Sequence, residues 1–120
     1  MTFGDEIQRW NKTVQAPVRF TMLALLCDAD IIEFGRMRQL CGISAQTLSK
    51  QATILSDAGY LTIHKIPRGR QVSTELSITE QGRAAFHEQV ELLRRLAATA
   101  QQPIYAPDGT DGSAVSSEAA

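Results

Sequence analysis

The chain has 120 residues, of which 43% are apolar and 21% charged, and its formal net charge is −1. That length makes one modest domain, and the composition excludes the disordered, collagen-like and disulfide-scaffold classes. The longest apolar run, Met22 to Cys27, is far shorter than the roughly 18 residues that cross a bilayer, and Met1 to Glu6 lacks the basic and apolar regions of a secretory signal, so the expectation is a cytoplasmic protein without a membrane partner.

Phe3, Ile7, Trp10 and Val14 recur at helical spacing, which predicts a first helix with one apolar side running up to the turn before Pro17. Pro17 suits the first turn of a second helix, whose buried side is Val18, Met22, Leu25 and Leu26 and which Asp28-Ala29-Asp30 should break. From Glu33, the spacing of Phe34, Met37, Leu40 and Cys41 predicts a short third helix, with Gly42 as a C-terminal cap able to adopt positive φ. Ser44 is a good N-cap for a fourth helix that ends at Ala58-Gly59, so two short helices joined by a glycine turn form a helix-turn-helix candidate.

Tyr60 to Ile66 is rich in β-branched and aromatic residues, and Val72, Thr74, Leu76 and Ile78 alternate with Ser73, Glu75 and Ser77, which predicts two strands of a hairpin around Pro67-Arg68-Gly69-Arg70. Thr79 can cap a long final helix in which Phe86, Val90, Leu93 and Ala97 form one stripe, widened by Ala85, Leu92 and Leu96. The expected fold is mainly α with a small β-hairpin, residues 1–100 forming one domain. Its terminal helices, through Phe3, Ile7, Trp10, Val14, Val90, Leu93 and Leu96, are expected to meet a second copy. Residues 101–120, rich in Gly, Ser, Ala, Pro and Asp without periodicity, read as a disordered tail.

Charge is unevenly placed. Between Arg36 and Arg70 the cations Arg36, Arg38, Lys50, Lys65, Arg68 and Arg70 face a single acid, Asp57, so the middle of the chain is basic and its flanks acidic. On a helical wheel the fourth helix buries Ala45, Leu48, Ala52 and Leu55 and turns Gln46, Ser49, Lys50, Thr53 and Asp57 outward, with Thr47 and Gln51 at the border. Amide and hydroxyl side chains, a cation and an acid-free helix N-terminus are the groups that read base edges and bind phosphate. The candidate DNA-binding set is therefore Ser44, Gln46, Thr47, Ser49, Lys50 and Thr53, joined by Lys65, Arg68 and Arg70 of the hairpin and by Arg38.

Residues Ile7 to Ala97 resemble the small winged helix-turn-helix transcriptional regulators of the MarR and ArsR type. The resemblance is carried by Pro17-Val18-Arg19, Leu48-Ser49-Lys50, Asp57-Ala58-Gly59-Tyr60-Leu61 and Leu76-Ser77-Ile78-Thr79-Glu80-Gln81-Gly82-Arg83 in that order. It implies a homodimer built from the terminal helices, the fourth helix in the major groove of double-stranded DNA and the hairpin, or wing, over the adjacent minor groove. The chain lacks the paired-cysteine motif of the metal-sensing branch, and Cys27 is a poor match to the reactive cysteine of the peroxide-sensing relatives.

Cys27 and Cys41 lie in apolar stretches without zinc spacing and read as buried small hydrophobes, so neither metal nor cofactor is expected. No nucleophile with a base and no carboxylate pair argues for an enzyme, since His64 and His87 stand alone and Glu88 and Glu91 accompany Arg94 and Arg95 on a helix. The competing function is a winged-helix module that binds protein, which would present an apolar patch on the fourth helix. Operator, direction of regulation and any small-molecule effector are not written in the sequence.

Overall fold

The computed structural model describes residues 2–100. In chain order the elements are α1 (Gly4–Gln8), α2 (Lys12–Gln15), α3 (Pro17–Ala29), β1 (Ile31–Glu33), α4 (Phe34–Cys41), α5 (Ala45–Asp57), β2 (Leu61–Arg68), β3 (Gln71–Ile78) and α6 (Glu80–Thr99). The chain divides into a larger body, Trp10–Gln89, and a smaller one that joins the segment before Trp10 to the segment after Gln89. The mainly helical architecture with a small antiparallel sheet is the expected fold, and the tail read as disordered lies outside the described residues.

The larger body holds the three-stranded sheet in the order β1-β3-β2. The short β1, which hydrophobic spacing did not foretell, pairs Ile32 with Leu76, and β2 pairs with β3 from Leu61↔Ile78 to Arg68↔Gln71. Met22, Leu23 and Leu26 of α3, Met37 of α4 and Leu48, Ala52 and Leu55 of α5 meet Ile32, Leu61 and Leu76 of the sheet in one buried core. Each large aliphatic side chain buried there contributes roughly 1.5–3 kcal/mol of transfer free energy. Phe86 of α6 joins this core and lies 4.9 Å from the Phe20 ring, centroid to centroid.

Capping groups set where the helices begin. Thr79 Oγ1 accepts the Gly82 amide at 2.9 Å and donates to the Gly59 carbonyl at 2.6 Å, so one hydroxyl starts α6 and ties it to the end of α5. The approach is so close that a Cβ on Gly82 would lie 2.1 Å from the Tyr60 carbonyl oxygen. Helix α3 ends at Ala29, inside the Asp28-Ala29-Asp30 segment expected to break it, and Asp30 follows it at φ +69°. Arg83 holds that corner, donating to the Cys27 carbonyl at 2.8 Å and pairing with the Asp30 carboxylate.

The first expected helix is interrupted. Asn11 is extended, and its side-chain oxygen accepts the Val14 amide at 3.1 Å, which starts α2 afresh and leaves Arg9 and Trp10 outside any helix. An asparagine that bonds a backbone amide three residues ahead is an N-cap, and it competes with continuation of the helix before it. Val14, expected on a surface shared with a second copy, is instead fully buried in the larger body and is unavailable to one. Trp10 remains 41% exposed.

In the smaller body α1 closes with the Arg9 amide bonded to the carbonyls of Asp5 and Glu6, and Ile7 is 69% exposed. On α6, Val90, Leu93 and Leu96 are half-buried, whereas Leu92 is buried. No helix among the described residues is long and apolar enough to cross a membrane. Neither cysteine is fully buried. Burial still pushes both thiols above their ordinary value, partly offset at Cys27 by Arg83, and Cys41 Sγ lies 3.8 Å from Met37 Sδ.

Candidate nucleic-acid interface

The turn between α4 and α5 is made by a residue that can be left-handed. Gly42 sits at φ +66°, and both its amide and that of Ile43 bond to the Arg38 carbonyl, at 2.9 and 3.3 Å. Arg38 Nε in turn donates to the Ile43 carbonyl at 3.2 Å, so this exposed arginine braces the turn and keeps its outer guanidinium nitrogens in solvent.

Ser44 starts α5 as expected: its hydroxyl oxygen accepts the Thr47 amide at 3.1 Å and its proton lies toward Thr47 Oγ1 at 3.0 Å. Ser44 is therefore spent on the helix end, while Thr47 keeps its own hydroxyl proton for another acceptor. No acid lies in the first turn. The leading amides, and the positive end of the helix dipole, are open to an anion.

Along α5, Leu48, Ala52 and Leu55 are buried and Gln46, Thr47, Ser49, Lys50 and Thr53 are exposed. Ala45, expected on the buried side, is exposed, because the helix begins there and its first turn projects beyond the core. Gln51, at the border, accepts a hydrogen bond from Arg19 Nη1 at 2.6 Å.

The hairpin turns in two residues, Gly69 and Arg70, with Gly69 at φ +65°. Strand pairing continues through Pro67 and Arg68, which the sequence placed in the turn. Alternation puts Ile63, Lys65, Val72, Thr74 and Leu76 on the face toward α5 and His64, Ile66, Arg68 and Glu75 on the other. Arg68 accordingly pairs with Glu75 at 3.6 Å, across the hairpin face turned from α5, and stands apart from Lys65 and Arg70.

Between α5 and the hairpin runs a groove of about 330 Å³, with Phe34, Ala52, Ile63 and Leu76 as its apolar floor and Ser49, Thr53, Lys65 and Thr74 as its polar rim. Lys65 Nζ donates to Thr74 Oγ1 at 3.3 Å, and among the described residues neither Lys50, Lys65 nor Arg70 has a carboxylate partner. In the sequence Thr74 is an alternating strand position and nothing more. Its polarity among Val72, Leu76 and Ile78 was the available signal that this face opens onto something polar. Within the larger body the structure thus gathers Ser49, Thr53 and Lys65 around one groove, with Lys50 exposed on the same helix and Arg70 at the hairpin tip.

A family model described as a winged helix DNA-binding domain matches residues 18–97. The chain belongs to that family. The match covers α4, α5 and the hairpin, so the polar face of α5 and the groove beside it lie on a winged helix DNA-binding domain, in agreement with the resemblance drawn from the residues.

Solved structures share the fold. A transcriptional regulator homologue from Pyrococcus horikoshii OT3 superposes with a TM-score of 0.75 at 16% identity, over 80% of this chain and 97% of its own. YusO from Bacillus subtilis gives 0.68 at 17% identity, over 79% and 67%. The PcaV transcriptional regulator from Streptomyces coelicolor, in complex with its natural ligand, gives 0.64 at 17% identity, over 83% and 70%. No curated protein sequence matches.

Proposed function

We propose that the chain is a sequence-specific transcriptional regulator that binds double-stranded DNA as a homodimer, with α5 in the major groove and the hairpin over the adjacent minor groove. The observation that carries this reading is the juxtaposition of an exposed, acid-free first half of α5 with the rim of Lys65 and Thr74 and the Arg70 tip. Gln46 and Ser49 supply hydrogen-bonding groups for base edges, Lys50 a donor for guanine or phosphate, and the groove a seat for the sugar-phosphate backbone between helix and wing.

The protein-binding alternative expected an apolar patch on the outward face of α5. That face carries Gln46, Thr47, Ser49, Lys50 and Thr53, while the exposed apolar side chains Ile31, Leu40 and Val72 lie on β1, α4 and β3 rather than on α5.

Repeated selection from a pool of random 30-base-pair duplexes tests the proposal. The expected outcome is an enriched motif with two-fold symmetric half-sites, bound by the wild type and at least a hundredfold less tightly by Lys50→Glu at unchanged thermal stability. A pool that stays unenriched, or a Lys50→Glu protein that keeps its affinity, overturns the assignment.

A further inference from the structure

Helix α2 has only four residues, too few to persist through its own hydrogen bonds. It is held instead by side-chain hydrogen bonds to three other parts of the larger body. Asn11, its N-cap, donates through Nδ2 to the Tyr60 hydroxyl at 2.9 Å, just beyond the end of α5. Gln15 donates through Nε2 to Gln89 Oε1 of α6 at 2.7 Å, and Gln89 is buried. Arg19, in the first turn of α3, donates through Nε to the Thr13 carbonyl at 2.7 Å and through Nη1 to Gln51 Oε1 at 2.6 Å.

Arg19 therefore bridges this anchored turn to the midpoint of α5. Its partners are both neutral oxygens, and no carboxylate pairs with it among the described residues. A half-buried arginine so placed is fitted by geometry: the planar fork aims two N–H groups at divergent acceptors at once, which an ammonium on a flexible stem does not do. Gln51 lies between the buried row Leu48, Ala52 and Leu55 and the exposed row Gln46, Ser49, Lys50 and Thr53. The core row fixes which face α5 buries, and a directional tether at the border of the two rows adds a restraint on its fine roll about its own axis.

We infer that Arg19 is a positioning residue of the DNA-reading helix: through Gln51 it sets the roll of α5 against the α2 turn and so determines sequence selectivity without touching DNA. The inference rests on the DNA-binding reading above. Hydrogen bonds to base edges weaken steeply with misalignment, so a rolled helix loses base discrimination; phosphate attraction depends on charge and survives.

The test compares wild type, Arg19→Met, Arg19→Lys, Gln51→Leu and the Arg19→Met/Gln51→Leu double variant, full-length, on two probes: the duplex enriched in the selection and a shuffled duplex of the same composition. Affinity is measured at several salt concentrations. Arg19→Met is expected to lose at least tenfold affinity for the selected duplex, to stay within twofold of wild type on the shuffled one, and to keep the salt slope. The double variant should be no worse than either single one, and Arg19→Lys, which keeps one of the two bonds, should be intermediate and remains informative if Arg19→Met does not fold. Unchanged selectivity overturns the inference, as does a slope lower by about one, which marks Arg19 as a phosphate contact. If the wild type itself enriches no duplex, the DNA-binding reading is what fails.

Discussion

At the residue scale the least replaceable of the described glycines is Gly82. Its Cα hydrogen faces the Tyr60 carbonyl, and a Cβ at 2.1 Å from that oxygen cannot be absorbed by a side-chain rotation because the obstacle is backbone. Gly82→Ala should therefore cost about 3 kcal/mol or more, read as a lower urea midpoint, although alanine is otherwise the better helix former. A loss below about 1 kcal/mol would mean that α6 approaches Tyr60 less closely. The thiols make a pH prediction. Burial holds Cys27 and Cys41 in the neutral form, so both should react with iodoacetamide with midpoints above the ordinary thiol value. As pH rises through that ordinary value the unfolded chain loses its thiol protons first, so the native state then holds more protons than the unfolded one. Stability contributed by the thiols is present below the ordinary thiol value and declines as pH rises toward the raised one. A chain in which Cys27 and Cys41 are both replaced by Ala should show a flatter stability profile in that alkaline window; an unchanged profile would remove the thiols from the account.

At the element scale, local chemistry was legible where one side chain decides an element's edge. Ser44, Gly42, Pro17 and Thr79 each do in the structure what their residue type dictates: cap, left-handed turn, first-turn proline, cap. The break at Trp10 was hidden because Phe3, Ile7, Trp10 and Val14 keep helical spacing straight through it, and the interruption comes from Asn11, a polar residue that periodicity ignores. Strand β1 was hidden because three residues cannot display an alternation, and only pairing with Leu76 and its neighbours makes them a strand. In the hairpin the turn composition was legible and the register was not, and register separates the two arginines. Arg70 stands in the turn, while Arg68 lies on the face away from α5 beside Glu75. Arg70→Ala should lower the salt slope of DNA binding by about one, while Arg68→Ala should leave it unchanged. Equal slopes for the two variants would mean that the hairpin does not meet phosphate in the register seen here.

At the scale of the whole molecule, the larger body presents one α5, whereas a sequence-specific site recognised by a single short helix offers few base contacts. A regulator of this size gains affinity and selectivity by placing two copies of the helix about one helical turn of DNA, roughly 34–36 Å, apart. The proposed homodimer would use the chain's terminal segments. Ile7 is 69% exposed and Phe3 half-buried before Trp10, and α6 carries Val90, Leu93 and Leu96 half-buried beyond Gln89. Ile31, Leu40 and Val72 are exposed as well, each on a different element, and scattered apolar exposure needs no explanation; the terminal segments differ in carrying several such side chains at helical spacing, and dimerisation is a common way for a small domain to bury more apolar surface. Val14 falls out of the expected set because it is already buried, and the proposed homodimer leaves Ile7 and Leu93 of the smaller body as the residues to test. Replacing Ile7 and Leu93 together by Glu should give a monomer by sedimentation. It should lower affinity for the two-half-site duplex at least a hundredfold and leave binding to a single half-site close to that of the wild type. A dimer that survives both charges would place the interface elsewhere, and a monomer that still binds the full duplex tightly would remove the need for a second copy.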